Sequence, residues 1–241
     1  MKMFNLFKKK SSNKNAETTT LDQIIGGEIC GDAFYDLLKS YASRLDLKLF
    51  LEIGSSAGGG STQAFVDAIS KRVDSDHVSV YCFELSKNRF KLLTETYNAF
   101  PFIKPYNVSS ISTNEFPAVS SVTDFYQNVK SSLNDYPIET ILQWYWQDIN
   151  YIKNSGLDQN GIVHVREKNR INVFDMVLID GSEFTGEVEL NFVIGSKVIA
   201  LDDINTFKCY DAFNKLSADS NYVLKHSNRK LRNGYAIFER I

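Results

Sequence analysis

Cysteine is scarce: Cys30, Cys82 and Cys209 are odd in number and far apart, which excludes a disulfide framework and any CxxC zinc spacing. They read as core thiols. No apolar run approaches the roughly 18 residues of a membrane helix, and the start, Met1 to Phe7, is too short and too soon basic for a secretory signal. The expected location is the cytoplasm, without stable membrane insertion. Charge of one sign is not in excess, since 27 Lys and Arg face 29 Asp and Glu, a net charge of −2. That argues against nucleic acid as a partner held through its phosphates. The histidines His77, His164 and His226 fall in unrelated elements and make neither a zinc set nor a triad. What is present is an ordinary globular composition, 43% hydrophobic and 23% charged, over 241 residues, a length that suits one elaborated domain. Residues 1 to about 20 carry five lysines against Glu17 and read as a disordered, solvated basic tail. A transient membrane-surface contact through Phe4, Leu6 and Phe7 is the sharper alternative. The domain proper is expected over 21–241.

Between Asp32 and Arg44, Phe34, Leu37, Leu38 and Tyr41 recur at helical spacing, and Leu47 to Ile53 then runs almost continuously apolar into Gly54. Phe65, Ala68 and Ile69 continue as a helix that Ser61 or Thr62 can cap, followed by a strand, Val78 to Glu84, and a helix capped by Ser86. Strand, glycine turn, helix, strand, helix begins a parallel α/β sheet. Further strands are expected at Phe174 to Asp180 and Lys197 to Asp202, with helices through Val188 to Ile194 and Phe207 to Leu216. Tyr222 to Lys225 and Tyr235 to Glu239, turning near Asn233-Gly234, read as a hairpin. The third strand stays open between Ile103 to Val108 and Gly161 to Val165. Pro137, Gly156 and the apolar spacing between them mark a helical insertion over about 115–160. The expected fold class is α/β: a Rossmann-like, mostly parallel sheet with a C-terminal antiparallel hairpin and a helical insertion.

Glu52-Ile53-Gly54-Ser55-Ser56-Ala57-Gly58-Gly59-Gly60-Ser61-Thr62 lies between strand and helix, where bare backbone and helix N-terminal amides can meet a ligand. A dinucleotide fingerprint fails on spacing, because Ser56 and Gln63 stand where glycine is required. A P-loop fails on chemistry, because Gly60 stands where its lysine must reach the phosphates. The surviving pattern is Glu52, Gly54, Gly58 and Gly60, with a second acid, Glu84, ending the next strand. Here the sequence resembles the first two motifs of class I S-adenosylmethionine-dependent methyltransferases. The resemblance implies that Glu52, Gly54, Ser55, Gly58 and Gly60 form the loop around the methionine part of the cofactor. It also implies that Glu84 takes both ribose hydroxyls and that Ser109, after the third strand, lies at the adenine. A carboxylate with two acceptor oxygens suits a vicinal diol. The bland alternative is a glycine turn that lets a helix pack on a strand.

Asp180 ends one strand and Asp202-Asp203 the next, 22 residues on, which brings three acids to the sheet edge of the glycine loop. Carboxylates that close repel one another, and a hard divalent ion such as Mg²⁺ removes the conflict. Capping of a turn and a helix is the bland alternative. In this arrangement the chain resembles metal-dependent O-methyltransferases of the catechol and macrocin types, over about 45–110 and 172–240. That resemblance implies Asp180, Asp202 and Asp203 as magnesium ligands and a small-molecule or saccharide acceptor. Where those families carry a catalytic Asp or Lys, this chain has Ser182 and Glu183. Glu183 is therefore the candidate base, with Asp203 or a metal-bound hydroxide as rivals. Trp144, Tyr145, Trp146 and Tyr151 are expected in the core, on a lid over the acceptor, or in a homodimer interface. The expected function is a magnesium-dependent, S-adenosylmethionine-dependent O-methyltransferase. The alternatives are a metal-independent or non-oxygen methyltransferase on the same fold, and a cofactor-binding interaction module without turnover.

Overall fold

Strands that are apolar on both faces need helices on both sides of their sheet. In the computed structural model, which describes residues 21–241, the strands β1 (Leu49–Ile53), β2 (Ser79–Phe83), β3 (Ile103–Tyr106), β4 (Met176–Ile179) and β5 (Val198–Asp202) lie parallel. β6 (Tyr222–Asn228) and β7 (Tyr235–Arg240) form the C-terminal hairpin, with β7 antiparallel to β5. The order is β3-β2-β1-β4-β5-β7-β6. Winding reverses between β1 and β4, so a crevice opens there at the carboxyl ends of the strands. The basic tail and its membrane-surface alternative lie outside the described residues.

Alternate residues of each strand feed different cores. Phe50, Val80, Cys82 and Leu178 pack under α1 (Ala33–Ala42), α2 (Ser61–Ile69) and α3 (Lys87–Tyr97). On the other face, Leu51, Ile53, Val177 and Ile199 pack under three further helices, α6 (Gly161–Asn169), α7 (Gly186–Val193) and α8 (Tyr210–Ala218). Each fully buried Phe or Leu stabilises by roughly 1.5–3 kcal/mol. α4 (Val119–Asn128) and α5 (Ile138–Ser155) build a third core around Ile141, Tyr145, Ile149 and Phe184. Among the described residues no helix is long and apolar enough to cross a membrane.

Local chemistry sets the ends of these elements. Asp32 caps α1 by accepting from the amides of Phe34 and Tyr35 at 2.9 Å each, and Ser86 caps α3 through Arg89 N–H at 3.2 Å. Pro137 opens α5 and Gly156, at φ 70°, closes it. Three expectations are corrected. Gly161 to Val165 is the start of α6, not a strand: Ile162 and Val165 turn inward at helical spacing and the third strand is β3. Neither Ser61 nor Thr62 caps α2, whose N-cap is Gly60. Cys30 is exposed, while Cys82 and Cys209 are buried thiols.

Candidate active site

The ends of β1, β2, β4 and β5 open into one cavity of about 680 Å³, whose wall includes Gly54, Ser56, Glu84, Ser109, Asp180, Glu183, Asp203 and Lys208. Gly54, at φ 90°, lets β1 approach β4, because a Cβ there would stand 2.1 Å from the Asp180 carbonyl oxygen. Gly58, at φ 87°, is held to α3: a Cβ would meet the Tyr97 ring at 2.3 Å, and the Tyr97 hydroxyl donates to the Gly58 carbonyl. Glu52 lies behind the loop. It is fully buried and its carboxylate is saturated by hydroxyls, Ser55 Oγ at 2.7 Å, Ser61 Oγ at 2.6 Å and Thr62 Oγ1 at 2.7 Å. Glu52 and Ser55 therefore brace the loop from behind, and Gly60 serves as the α2 N-cap, all three outside the cavity wall. Gly54 and Ser56 are the loop's face to the cavity, and Ser56 Oγ is buried without a partner.

Glu84 follows β2 in the wall. Burial pushes its pKa up, against the Ser86 amide that donates to Oε1 at 2.7 Å and the nearby Arg89. Asn107 fixes this strand end by donating to the carbonyls of Glu84 and Leu85 at 2.7 and 3.0 Å. Ser109 is in the wall, but its hydroxyl is already given to the Ile111 carbonyl at 2.7 Å.

The acids expected at the later strand ends do converge: one oxygen from each of Asp180, Asp202 and Asp203 lies within 4.8 Å of the others. Asp203, in the left-handed region at φ 56°, is turned into the cavity by its backbone. A cation is present, and it belongs to the chain. Lys208, only 8% exposed, places Nζ 2.9 Å from Asp180 Oδ1 and 2.6 Å from Asp203 Oδ2. Asp202 lies outside the cavity wall and bonds Arg232 Nη2 at 2.9 Å, while Arg232 Nη1 reaches Asp32, the cap of α1. Burial opposes charge on Lys208, but Asp180, Asp203, Glu183 and Asp202 hold its pKa well above the usual lysine value. Burial pushes Asp180 and Glu183 each up to about 7, with Lys208 opposing and Asp203 adding to the shift. Glu183 Oε1 accepts from the Lys208 amide at 3.2 Å, so this carboxylate and the Lys208 backbone are tied together.

The hard oxygens, with Asp203 Oδ1 buried and unpartnered, have the donor chemistry magnesium requires. The arrangement does not fit it, because Lys208 and Arg232 already hold an oxygen of each of the three carboxylates. Lys208 escapes the sequence pattern because Phe207 fits the spacing of the following helix, whereas α8 begins at Tyr210 and Lys208 turns inward before it. The one signal was a lysine five residues after Asp203, set between Phe207 and Cys209. Asp148 of α5 escapes the pattern as well. It lines the cavity, accepts from Ser182 Oγ at 2.6 Å, and is pushed up to about 6 by burial. The insertion thus forms one wall, in which Trp144 packs edge-on against Tyr136 at 5.0 Å, while Trp146 is 48% exposed.

No family model and no curated protein matches the chain. Solved structures share its fold. A Staphylococcus aureus protein provisionally described as a caffeoyl-CoA O-methyltransferase is 12% identical, covering 88% of this chain and 85% of that one, with a TM-score of 0.54. The O-methyltransferase from Bacillus cereus, in complex with SAH, is 12% identical over 89% and 83% of the two chains, with a TM-score of 0.51. A methyltransferase from Geobacter sulfurreducens is 11% identical over 88% and 82%, also with a TM-score of 0.51.

Proposed function

From the premise that this chain has the class I methyltransferase fold, we propose that it is an S-adenosylmethionine-dependent enzyme that transfers a methyl group to a hydroxyl of a small molecule, with saccharides among the acceptors. The observation that carries the reading is a single cavity holding the Gly54 turn, Glu84 at the next strand end, and Asp180, Glu183 and Lys208 opposite. Glu84 binds the ribose diol. The loop, whose curvature Glu52, Ser55, Gly58 and Gly60 maintain, presents Gly54 and Ser56 to the methionine part, and the wall at Ser109 meets the adenine.

In the transfer the S–CH₃ bond breaks as the O–CH₃ bond forms in line, and the acceptor proton passes to a carboxylate. Glu183 takes that proton. Its elevated pKa of about 7 suits a base that works near neutrality, and S-adenosylhomocysteine is the other product. Orientation of the two partners supplies much of the rate. The magnesium expectation for Asp180, Asp202 and Asp203 competes here with Lys208, which holds oxygens of Asp180 and Asp203, and with Arg232, which holds one of Asp202. The free thiols of Cys30, Cys82 and Cys209 are in keeping with a reducing compartment, and the cytoplasm is the proposed location.

Calorimetry with S-adenosylhomocysteine, followed by transfer of labelled methyl to a panel of glycosides and catechols, tests the proposal. Micromolar binding and a labelled product are expected. Binding with no product from any hydroxyl acceptor would favour the interaction module, and no binding at all would end the reading.

A further inference from the structure

We infer that Lys208 serves in this chain as the cation of the carboxylate cluster, in place of a divalent metal, and that it positions the acceptor oxygen beside Glu183. The acceptor half of this statement rests on the methyl-transfer reading; the charge half does not. Two protein cations, Lys208 and an Arg232 shared with Asp32, stand against Asp180, Asp202 and Asp203 where a magnesium ion would stand. A metal added at about 2.1 Å from the oxygens of Asp180 and Asp203 would face an ammonium already 2.9 and 2.6 Å from those carboxylates, with little solvent between them to screen the repulsion.

Nor is Lys208 free to swing away. Its backbone is pinned against α7, since a Cβ on Gly186 would stand 2.0 Å from the Lys208 carbonyl oxygen, and its amide is bonded to Glu183. A lysine this buried is retained only where it is paired. An ammonium has three donors, of which Asp180 and Asp203 take two. The third is left for a ligand oxygen in the cavity that Lys208 lines.

Manganese, followed by its paramagnetic resonance signal, is the probe. The wild-type chain is expected to bind no stoichiometric Mn²⁺ and to keep its full methyl transfer in EDTA. One Mn²⁺ per chain, lost in Asp203→Asn, would overturn the inference. Lys208→Ala vacates the position and is expected to gain a site for one Mn²⁺, tighter by about tenfold or more than any wild-type binding. Lys208→Met, which keeps the aliphatic stem, serves if the alanine variant does not fold. A variant that still binds S-adenosylhomocysteine yet gains no Mn²⁺ site would also overturn the inference. Absence of S-adenosylhomocysteine binding by the wild type would instead defeat the methyl-transfer reading and leave the Mn²⁺ comparison to be decided on its own.

Discussion

Glu84 and Glu183 are both carboxylates at the edge of the same cavity, yet the reading gives them different work. Glu84 is an anchor: its replacement by Ala removes two charged hydrogen bonds to a diol, and a loss of on the order of 2–4 kcal/mol in S-adenosylhomocysteine affinity is expected by calorimetry. Unchanged affinity would take Glu84 out of the site. Glu183 is the base of the proposed transfer, and a base must be ionised to act. Below about pH 7 it keeps its proton, so kcat is expected to climb as pH rises through about 7 and then level off. In Glu183→Gln that rise should vanish and kcat should fall by roughly 10²–10⁴-fold, in keeping with the loss of a positioned base. A pH profile that keeps its shape in the glutamine variant would assign the titration to another group.

At the scale of elements, α5 does two things with two neighbouring tryptophans. Trp144 lines the cavity, whereas Trp146 points to solvent. Trp144→Ala is expected to raise the acceptor KM several-fold and leave cofactor affinity unchanged, because it removes an apolar face from the acceptor wall only. Steady-state kinetics with both substrates varied would show it. Trp146→Ala should leave kinetics alone, and light scattering on that variant tests the homodimer alternative. A fall in mass would place the interface on α5. A KM change in Trp146→Ala with none in Trp144→Ala would reverse these assignments. Glu52 belongs to this scale also, since its three hydroxyl partners hold the glycine loop to α2 and make it a part of the loop's architecture.

Across the whole molecule, Arg232 links distant parts of the chain. Set in the β6–β7 turn, it bonds Asp202 at the end of β5 and Asp32 at the start of α1, and so joins the hairpin to both halves of the sheet. Burial, with Asp180 and Asp203 beside it, pushes Asp202 up to about 9, so Arg232→Ala removes a hydrogen-bond partner from a buried carboxyl that can stay neutral, and a destabilisation of about 1–3 kcal/mol is expected. Thermal and denaturant melts would measure it. A change under about 1 kcal/mol would mean that the hairpin is held in place without these bonds.

The sequence by itself determined what depends on neighbours along the chain. Apolar runs ending in Gly54, Glu84, Asp180 and Asp202 gave the parallel strands and their polar ends, because strand burial and turn chemistry are local. Asn233-Gly234 between two strand-like runs gave the hairpin for the same reason. Gly161 to Val165 misled because five residues containing Ile and Val fit a strand and a helix equally well, and only packing of Ile162 and Val165 under the sheet decides. The tertiary structure alone decided which charge meets which. Lys208, Asp148 and Arg232 are ordinary polar residues in the sequence, separated from their partners by between 5 and 200 positions. No periodicity encodes such pairings, since the interaction depends on distance and burial in space. Thus three acids converging and requiring positive charge could be read from strand ends, whereas the source of that charge, a lysine five residues beyond Asp203, could be seen only once the chain had folded around it.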